Sequence, residues 1–307
     1  MTADAHGTPA AEILIDEALI RALLSEQQPR LAEHEIRIME AGWDNVMARI
    51  GSELAVRLPR RAAAEPLIKN EQRWLPILAP KLPVAVPVPR FCGMPNADYP
   101  FAWSLLKWLP GQAADLAPPN NDQTATLSEF LRILHQLPIP AQAPENAVRD
   151  CPLSAKGPDI AARMIALSDT SLVSSAIGSA WQTAMAEPAA LKTCWVAGDI
   201  HARNVLTMDG EISAFIDWGD MCIGDPASDL ASIWALFEAP EARISAIRAY
   251  GMSDSLIIRA AGWAIFYGVL LAQTGRVDTP RHYKMGQNTL RRIDADLQGN
   301  LKHLFQR

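Results

Sequence analysis

Three polar side chains stand close together in Gly198-Asp199-Ile200-His201-Ala202-Arg203-Asn204 and in the VLTMDGEISAFIDWGD that follows directly. Asp199, Asn204 and Asp217 all offer hard oxygen atoms, and an ionised carboxylate can also take up a proton. Each residue alone is an ordinary turn former or cap, because Asp and Asn side chains bond readily to nearby backbone. Brought to one point, the three would instead make a cation-binding and proton-transfer site.

The segment between them indicates how they could meet. Asp209-Gly210, between NVLTM and EISAFI, is a strong hairpin signal. A two-residue turn there pairs Met208 with Glu211 and sets Asn204 roughly opposite Phe215, with Asp217 one strand-step beyond. Neighbouring strands lie ~4.8 Å apart, so Asn204 and Asp217 are expected to reach one cation. Asp199 enters from the preceding loop. With no Cys or His in support, such oxygen ligands suit Mg²⁺ rather than zinc, and Mg²⁺ is usually completed by water and substrate phosphates.

These residues need a scaffold, and the chain is long enough for one. Its 307 residues, 49% hydrophobic and 20% charged, describe a globular protein of one large domain or two modest ones. The first ten residues, MTADAHGTPA, read as disordered, and no secretory signal is visible. The longest apolar run, Ala260 to Ala272, falls short of the ~20 residues that span a bilayer and reads as a buried helix. Cys92, Cys151, Cys194 and Cys222 form no C-x-x-C pair, so free thiols in a reducing cytoplasm are expected. The net charge of −6, with no compensating basic patch, speaks against a nucleic-acid partner. No membrane partner is expected either, and oligomeric state is not legible.

Along the chain, Asp16 could cap a helix through LIRALLSEQQ. Three alternating segments, 35–39, 45–50 and 53–58, read as antiparallel strands. A helix follows near Leu67 to Leu78, then a Pro-rich run and two more strands, near Phe91 and at FAWSLLKWL. Pro110-Gly111 breaks the pattern. From Thr124 to Pro188 the periodicity is helical, and helices resume after the hairpin. The expected fold class is α+β: a small strand-rich N-terminal lobe (1–107), a linker (108–111) and a larger, mainly helical C-terminal lobe (112–307) containing the hairpin. Trp43 and Trp74 are expected in the core.

In detail, D-x-x-x-x-N followed by a hairpin and I-D resembles the catalytic and metal loops of kinases. GDIHARNVL…FIDWGDMCIGDPASDLA is similar to the motifs of the aminoglycoside phosphotransferase family of antibiotic and small-molecule kinases. EAGWDN, VRLPR, the helix bearing Glu71 and WLPG extend the likeness over nearly the whole chain. The resemblance implies a protein-kinase-like, two-lobed fold and an ATP- or GTP-dependent transfer of the γ-phosphoryl group to a hydroxyl of a small molecule. Asp199 would be the catalytic base. Asn204 and Asp217 would hold Mg²⁺ against the nucleotide phosphates. Arg57, on the third strand, would contact those phosphates where many members carry lysine, and Glu71 would pair with it. Backbone from Ser104 through Lys107 to Trp108 would meet the nucleotide base.

The sequence departs from the family pattern at two places. Ala197 stands where a loop histidine is usual, and Arg57 brings a wider, bidentate fork than lysine. By themselves, a strand arginine and a helical glutamate are more often solvated surface residues. Asp225 and Asp229 in GDPASDL read as caps that brace the loop, and His201 as its support. GDPASDL follows Asp217 too soon for the long activation segment of a protein kinase.

The alternative to an enzyme is a non-catalytic nucleotide-binding module, a pseudokinase, for which Ala197 is the argument. Such a protein would be expected to have lost Asp199, Asn204 or Asp217, and all three are present. The acceptor stays open. Asp220, Glu238, Glu241, Asp254 and Asp278 are interspersed with Arg243, Arg248, Arg259, Arg276 and Arg281, so no acidic pocket for a polycation stands out. Aminoglycosides, macrolides, sugars, amino alcohols and nucleosides all fit.

Overall fold

Alternating apolar residues in IRIMEA, NVMARI and LAVRLP build the first three strands of an antiparallel sheet in the computed structural model of the chain. The structure describes residues 9–146, 149–190, 193–277 and 279–305. The reading of the first ten residues therefore falls almost wholly outside the described residues, and so does Asp278. The described chain divides into two compact units.

One unit comprises Thr8–Pro110 and the short later segment Ile216–Gly219. Its five strands are β1 (Ile36–Ala41), β2 (Asn45–Ile50), β3 (Leu54–Pro59), β4 (Pro89–Gly93) and β5 (Trp103–Lys107), arranged β1-β2-β3-β5-β4. Helix α1 (Glu17–Gln27) starts where the Asp16 side chain accepts from the Leu19 amide at 2.8 Å. Its buried face, Ile20, Leu23 and Leu24, joins Val46, Ala48, Ile50, Val56, Leu58 and Trp103 in one core. Helix α2 (Glu65–Leu78) buries Ile68, Glu71, Trp74, Leu75 and Leu78, spaced by threes and fours. Trp74 lies in the core as expected. Trp43 does not: it sits in the short connection between β1 and β2 and is 39% exposed.

The other described unit comprises Gly111–Phe215 and Asp220–Arg307. Two small sheets lie among helices: β6 (Gln112–Ala113), β8 (Val205–Met208) and β9 (Glu211–Phe215) in the order β6-β8-β9, and β7 (Cys194–Val196) with β10 (Cys222–Gly224). The helices are α3 (Thr124–Gln136), α4 (Gly157–Ala166), α5 (Ser175–Ala186), α6 (Ala227–Leu230), α7 (Ser232–Leu236), α8 (Pro240–Tyr250), α9 (Asp254–Gly275), α10 (Pro280–Gln298) and α11 (Lys302–Phe305). Helix α9 is long and apolar enough to cross a membrane, but most of its apolar stretch is buried within the protein. Phe130 of α3 stacks on Phe215 of β9, ring centroids 3.9 Å apart, and so fixes the hairpin against the helices.

The hairpin turns at Asp209 (φ 54) and Gly210 (φ 81), both left-handed, as a two-residue turn of the primed type requires. Met208 pairs with Glu211 as expected. The register beyond differs from expectation by one residue: Val205, not Asn204, faces Phe215, because a bulge falls between Leu206 and Thr207.

Candidate active site

In the sheet-bearing unit the sequence places Arg57 on β3, an interior strand flanked by β2 and β5. A solvated strand arginine would sit at an edge. Arg57 is instead only 5% exposed. Its Nε lies 3.4 Å from Glu71 Oε2, and its Nη2 donates to Asp217 Oδ1. Burial by itself would lower the Arg57 pKa, but Asp217 and then Glu71 more than reverse this, and the guanidinium lies well above its ordinary value. Glu71 is also anchored from its other oxygen, Oε1, which accepts from the Trp218 amide at 2.7 Å. Asp217 occupies the left-handed region (φ 59), a conformation Asp tolerates better than most residues.

Ser104 and Lys107 fare differently. Ser104 lies inside β5 with Arg57 on one side and Cys92 on the other. Its side chain is fully buried, and its Oγ accepts from Gln72 Nε2 at 3.1 Å. Its backbone is committed to the sheet, so a nucleotide contact expected there has no open edge. Lys107, at the end of the strand, is exposed and pairs only with Leu54 of β3. Beyond it the Trp108 amide donates to the Glu53 carbonyl at 2.8 Å.

In the helical unit, Asp199 leaves β7 through Gly198, whose φ of 84 favours glycine. A Cβ on Gly198 would come within 2.6 Å of the Asp220 carbonyl oxygen, so the loop has no room for a side chain. The loop is braced from below. Asp229 accepts from the Ala197 and Gly198 amides at 2.8 and 2.9 Å, and His135 Nε2 lies 3.2 Å from the same carboxylate. Asp225 accepts from the Ala227 amide at 3.0 Å and pairs with Arg259. Loss of the loop histidine at position 197 thus leaves backbone anchoring in place. His201 is a loop member: its Nδ1 accepts from the Arg203 amide at 3.3 Å.

The Asn204 side chain donates from Nδ2 to the Asp199 carbonyl at 3.0 Å. That bond uses the nitrogen end of the amide, and the oxygen end is the hard acceptor. Asn204 amide oxygen and Asp217 carboxylate are the hard donors that Mg²⁺ takes. Among the described residues no group of three or more His, Cys, Asp or Glu could hold a metal ion.

Three further residues touch or brace the Asp199 loop, His135 only through Asp229, and carry no local sequence signal. Arg149 lies in a connection before α4, with Nη2 3.1 Å from Asp199 Oδ1 and 2.8 Å from Asp220 Oδ2. Tyr267 of α9 donates to the Gly198 carbonyl at 2.8 Å, and burial keeps its hydroxyl neutral, far above its ordinary range. His135 is the third. Only proximity in the fold reveals them.

The sequence profile of the phosphotransferase enzyme family matches residues 35–264. A search of curated proteins found no match. Among solved structures, the GDP complex of wild-type aminoglycoside 2′-phosphotransferase-IIIa is 17% identical with a TM-score of 0.68, covering 92% of this chain and 99% of its own. A macrolide 2′-phosphotransferase of type I is 21% identical with a TM-score of 0.60, covering 92% and 99%. Macrolide 2′-phosphotransferase MphH from Brachybacterium faecium is 20% identical with a TM-score of 0.59, covering 90% and 97%. At these identities the likeness is one of fold, and it is the α+β fold expected: an antiparallel-sheet N-terminal part and a helical C-terminal part.

Proposed function

The chain belongs to the phosphotransferase enzyme family, and on that premise we propose that it moves the γ-phosphoryl group of ATP or GTP to a hydroxyl of a small molecule. The observation that carries this reading is the retention of Asp199, Asn204 and Asp217 together, with Asp199 on a loop braced at both the Ala197 and Gly198 amides. A nucleotide-binding module without chemistry has no use for a base held this way.

In this reading Asp199 accepts the proton of the acceptor hydroxyl and orients it for in-line attack. Asn204 and Asp217 would hold Mg²⁺, which when bound would neutralise charge on the phosphates. Arg57, aligned by Glu71, contributes a fixed positive charge to the nucleotide phosphates. Lys107 and the Trp108 carbonyl offer backbone to the base, the Trp108 amide being taken by Glu53, at the linker (108–111) between a nucleotide-binding lobe (1–107) and a helical lobe (112–307). A reducing cytoplasm belongs to the same proposal.

Neighbours of this fold include a GDP and kanamycin complex, a gentamicin complex and macrolide phosphotransferases. Aminoglycosides and macrolides are accordingly the first acceptors to test. The experiment is a screen of hydroxylated compounds for acceptor-dependent ADP or GDP release. Release that no acceptor stimulates, beside tight Mg-nucleotide binding, would favour the pseudokinase instead.

A further inference from the structure

The orientation of a catalytic carboxylate has to come from groups that touch it. Two residues before Asp199, Ala197 supplies only a methyl group, and Asp229 holds that part of the loop by backbone amides alone. Backbone anchoring fixes where the loop runs, and the rotamer of the Asp199 side chain is set by the side chains around its carboxylate, with His201 Nε2 3.7 Å from Oδ2. The Asp199 side chain is 25% exposed, so water competes for it.

Arg149 meets that need. Its side chain is only 10% exposed, and an arginine stays charged in any protein setting, so its burial requires compensating anions. It has two, Asp199 and Asp220, both reached from the same Nη2, at 3.1 and 2.8 Å. The guanidinium is itself fixed on several sides. Its carbon lies 5.4 Å from the centre of the Tyr267 ring, and its Nη1 donates to the Tyr267 hydroxyl at 3.4 Å. Asn146 Nδ2 donates to Asp220 Oδ1 at 3.0 Å, and the Arg149 amide donates to the Asn146 carbonyl at 2.9 Å. Tyr267 closes the ring of contacts by donating to the Gly198 carbonyl, next to Asp199.

We propose that Arg149, clamped by Asp220 and Tyr267, is the positioning residue of this enzyme: it holds the Asp199 carboxylate through Oδ1 in the orientation that receives the acceptor hydroxyl. The inference rests on Asp199 being the base. In this proposal Arg149 acts through Asp199. One Nη2 with two hydrogens serves both carboxylates while the rest of the rigid guanidinium packs on Tyr267, which a lysine ammonium on a flexible stem does poorly.

The test uses steady-state ADP and GDP release from Mg-ATP and Mg-GTP, with water alone and with kanamycin or a macrolide as acceptor. Arg149→Ala should lower kcat about 100-fold, the scale of a misplaced catalytic group, while nucleotide affinity by calorimetry stays unchanged. Millimolar guanidinium should restore part of that rate to Arg149→Ala and none to Asp199→Asn. In the Asp199→Asn background, Arg149→Ala should cost nothing further, since both variants remove one function. Additive losses, or Arg149→Ala at the wild-type rate, would overturn the inference.

Should Arg149→Ala fail to fold, Arg149→Lys and Asp220→Asn carry the test, because both keep a cation in the cluster. Each should lower kcat without moving nucleotide affinity, and wild-type kcat in both would overturn the proposal. Failure of the base itself looks different: Asp199→Asn would then turn over like wild type, whatever the Arg149 variants do.

Discussion

Arg57 and Asp217 are 160 residues apart in sequence and joined by a hydrogen bond from Nη2 to Oδ1. The pairing sets an arginine where a flexible lysine would have served a phosphate as a point charge. It also puts a fixed cation on the one fully charged metal ligand proposed. Arg57 and Glu71 are buried, whereas the Asp217 side chain is 45% exposed. The ion pair therefore has a rigid half and an open half, and the open half is the one a magnesium ion would share.

From that rigidity follows a prediction for Arg57. Arg57→Ala leaves buried Glu71 without its cation and should lower stability by about 3–5 kcal/mol. It should also lose most of the stabilisation by Mg-nucleotide, about 2.7 kcal/mol at a hundredfold excess over Kd in a fully binding protein. Arg57→Lys should fold and recover part of the shift. Thermal melts with and without Mg-nucleotide read both effects. A full ligand-induced shift in Arg57→Ala would make Arg57 a purely structural residue.

Asp217→Ala should weaken Mg²⁺-dependent nucleotide binding, since no other fully charged ligand is proposed for the ion. Chelating the magnesium from wild type should mimic it. Calorimetric titration with Mg-ATP and Mg-GTP decides, and unchanged affinity for both nucleotides would place the ion elsewhere.

Asp199→Asn should abolish phosphoryl transfer with little effect on nucleotide affinity. The loss expected for removal of a general base is ~10²–10⁴ in kcat. Turnover within about threefold of wild type would be too small for a residue in that role.

The buried thiols give a prediction about pH. Cys194 and Cys222 sit on the paired strands β7 and β10, and burial, with Asp229 next, pushes both pKa values far above the ordinary thiol range. In the unfolded chain they ionise near ~8.5, so above that pH the unfolded state sheds protons the folded state retains. Stability is unaffected by them at neutral pH and should fall as pH rises, by up to about 1.4 kcal/mol per pH unit for each thiol. The Cys194→Ala/Cys222→Ala double variant should lose less stability than wild type between about pH 8 and about pH 10. Equal slopes in chemical denaturation would show that the thiols do not carry the effect.

Much of this protein was legible from local pattern. The Asp16 cap, the α2 periodicity, the alternation in β1 to β3 and the Asp209-Gly210 turn are all set by short-range chemistry, and each is found in the structure. The family followed from the same kind of information, because D-x-x-x-x-N and GDPxxDL compress their constraints into a few adjacent positions. What the sequence left undecided depends on burial and on long-range pairing. A strand arginine reads as solvated until Arg57 is found 5% exposed beside Glu71, and Trp43 reads as core until it is found 39% exposed. The one-residue register shift at Asn204 comes from a bulge that no turn rule encodes. Arg149 is the clearest case. No motif surrounds it, and its partners Asp199, Asp220 and Tyr267 lie on other parts of the chain. Only the packing of α9 against the loop brings two carboxylates and a ring around one guanidinium, and a buried charge is tolerated only where the fold has gathered its counter-charges.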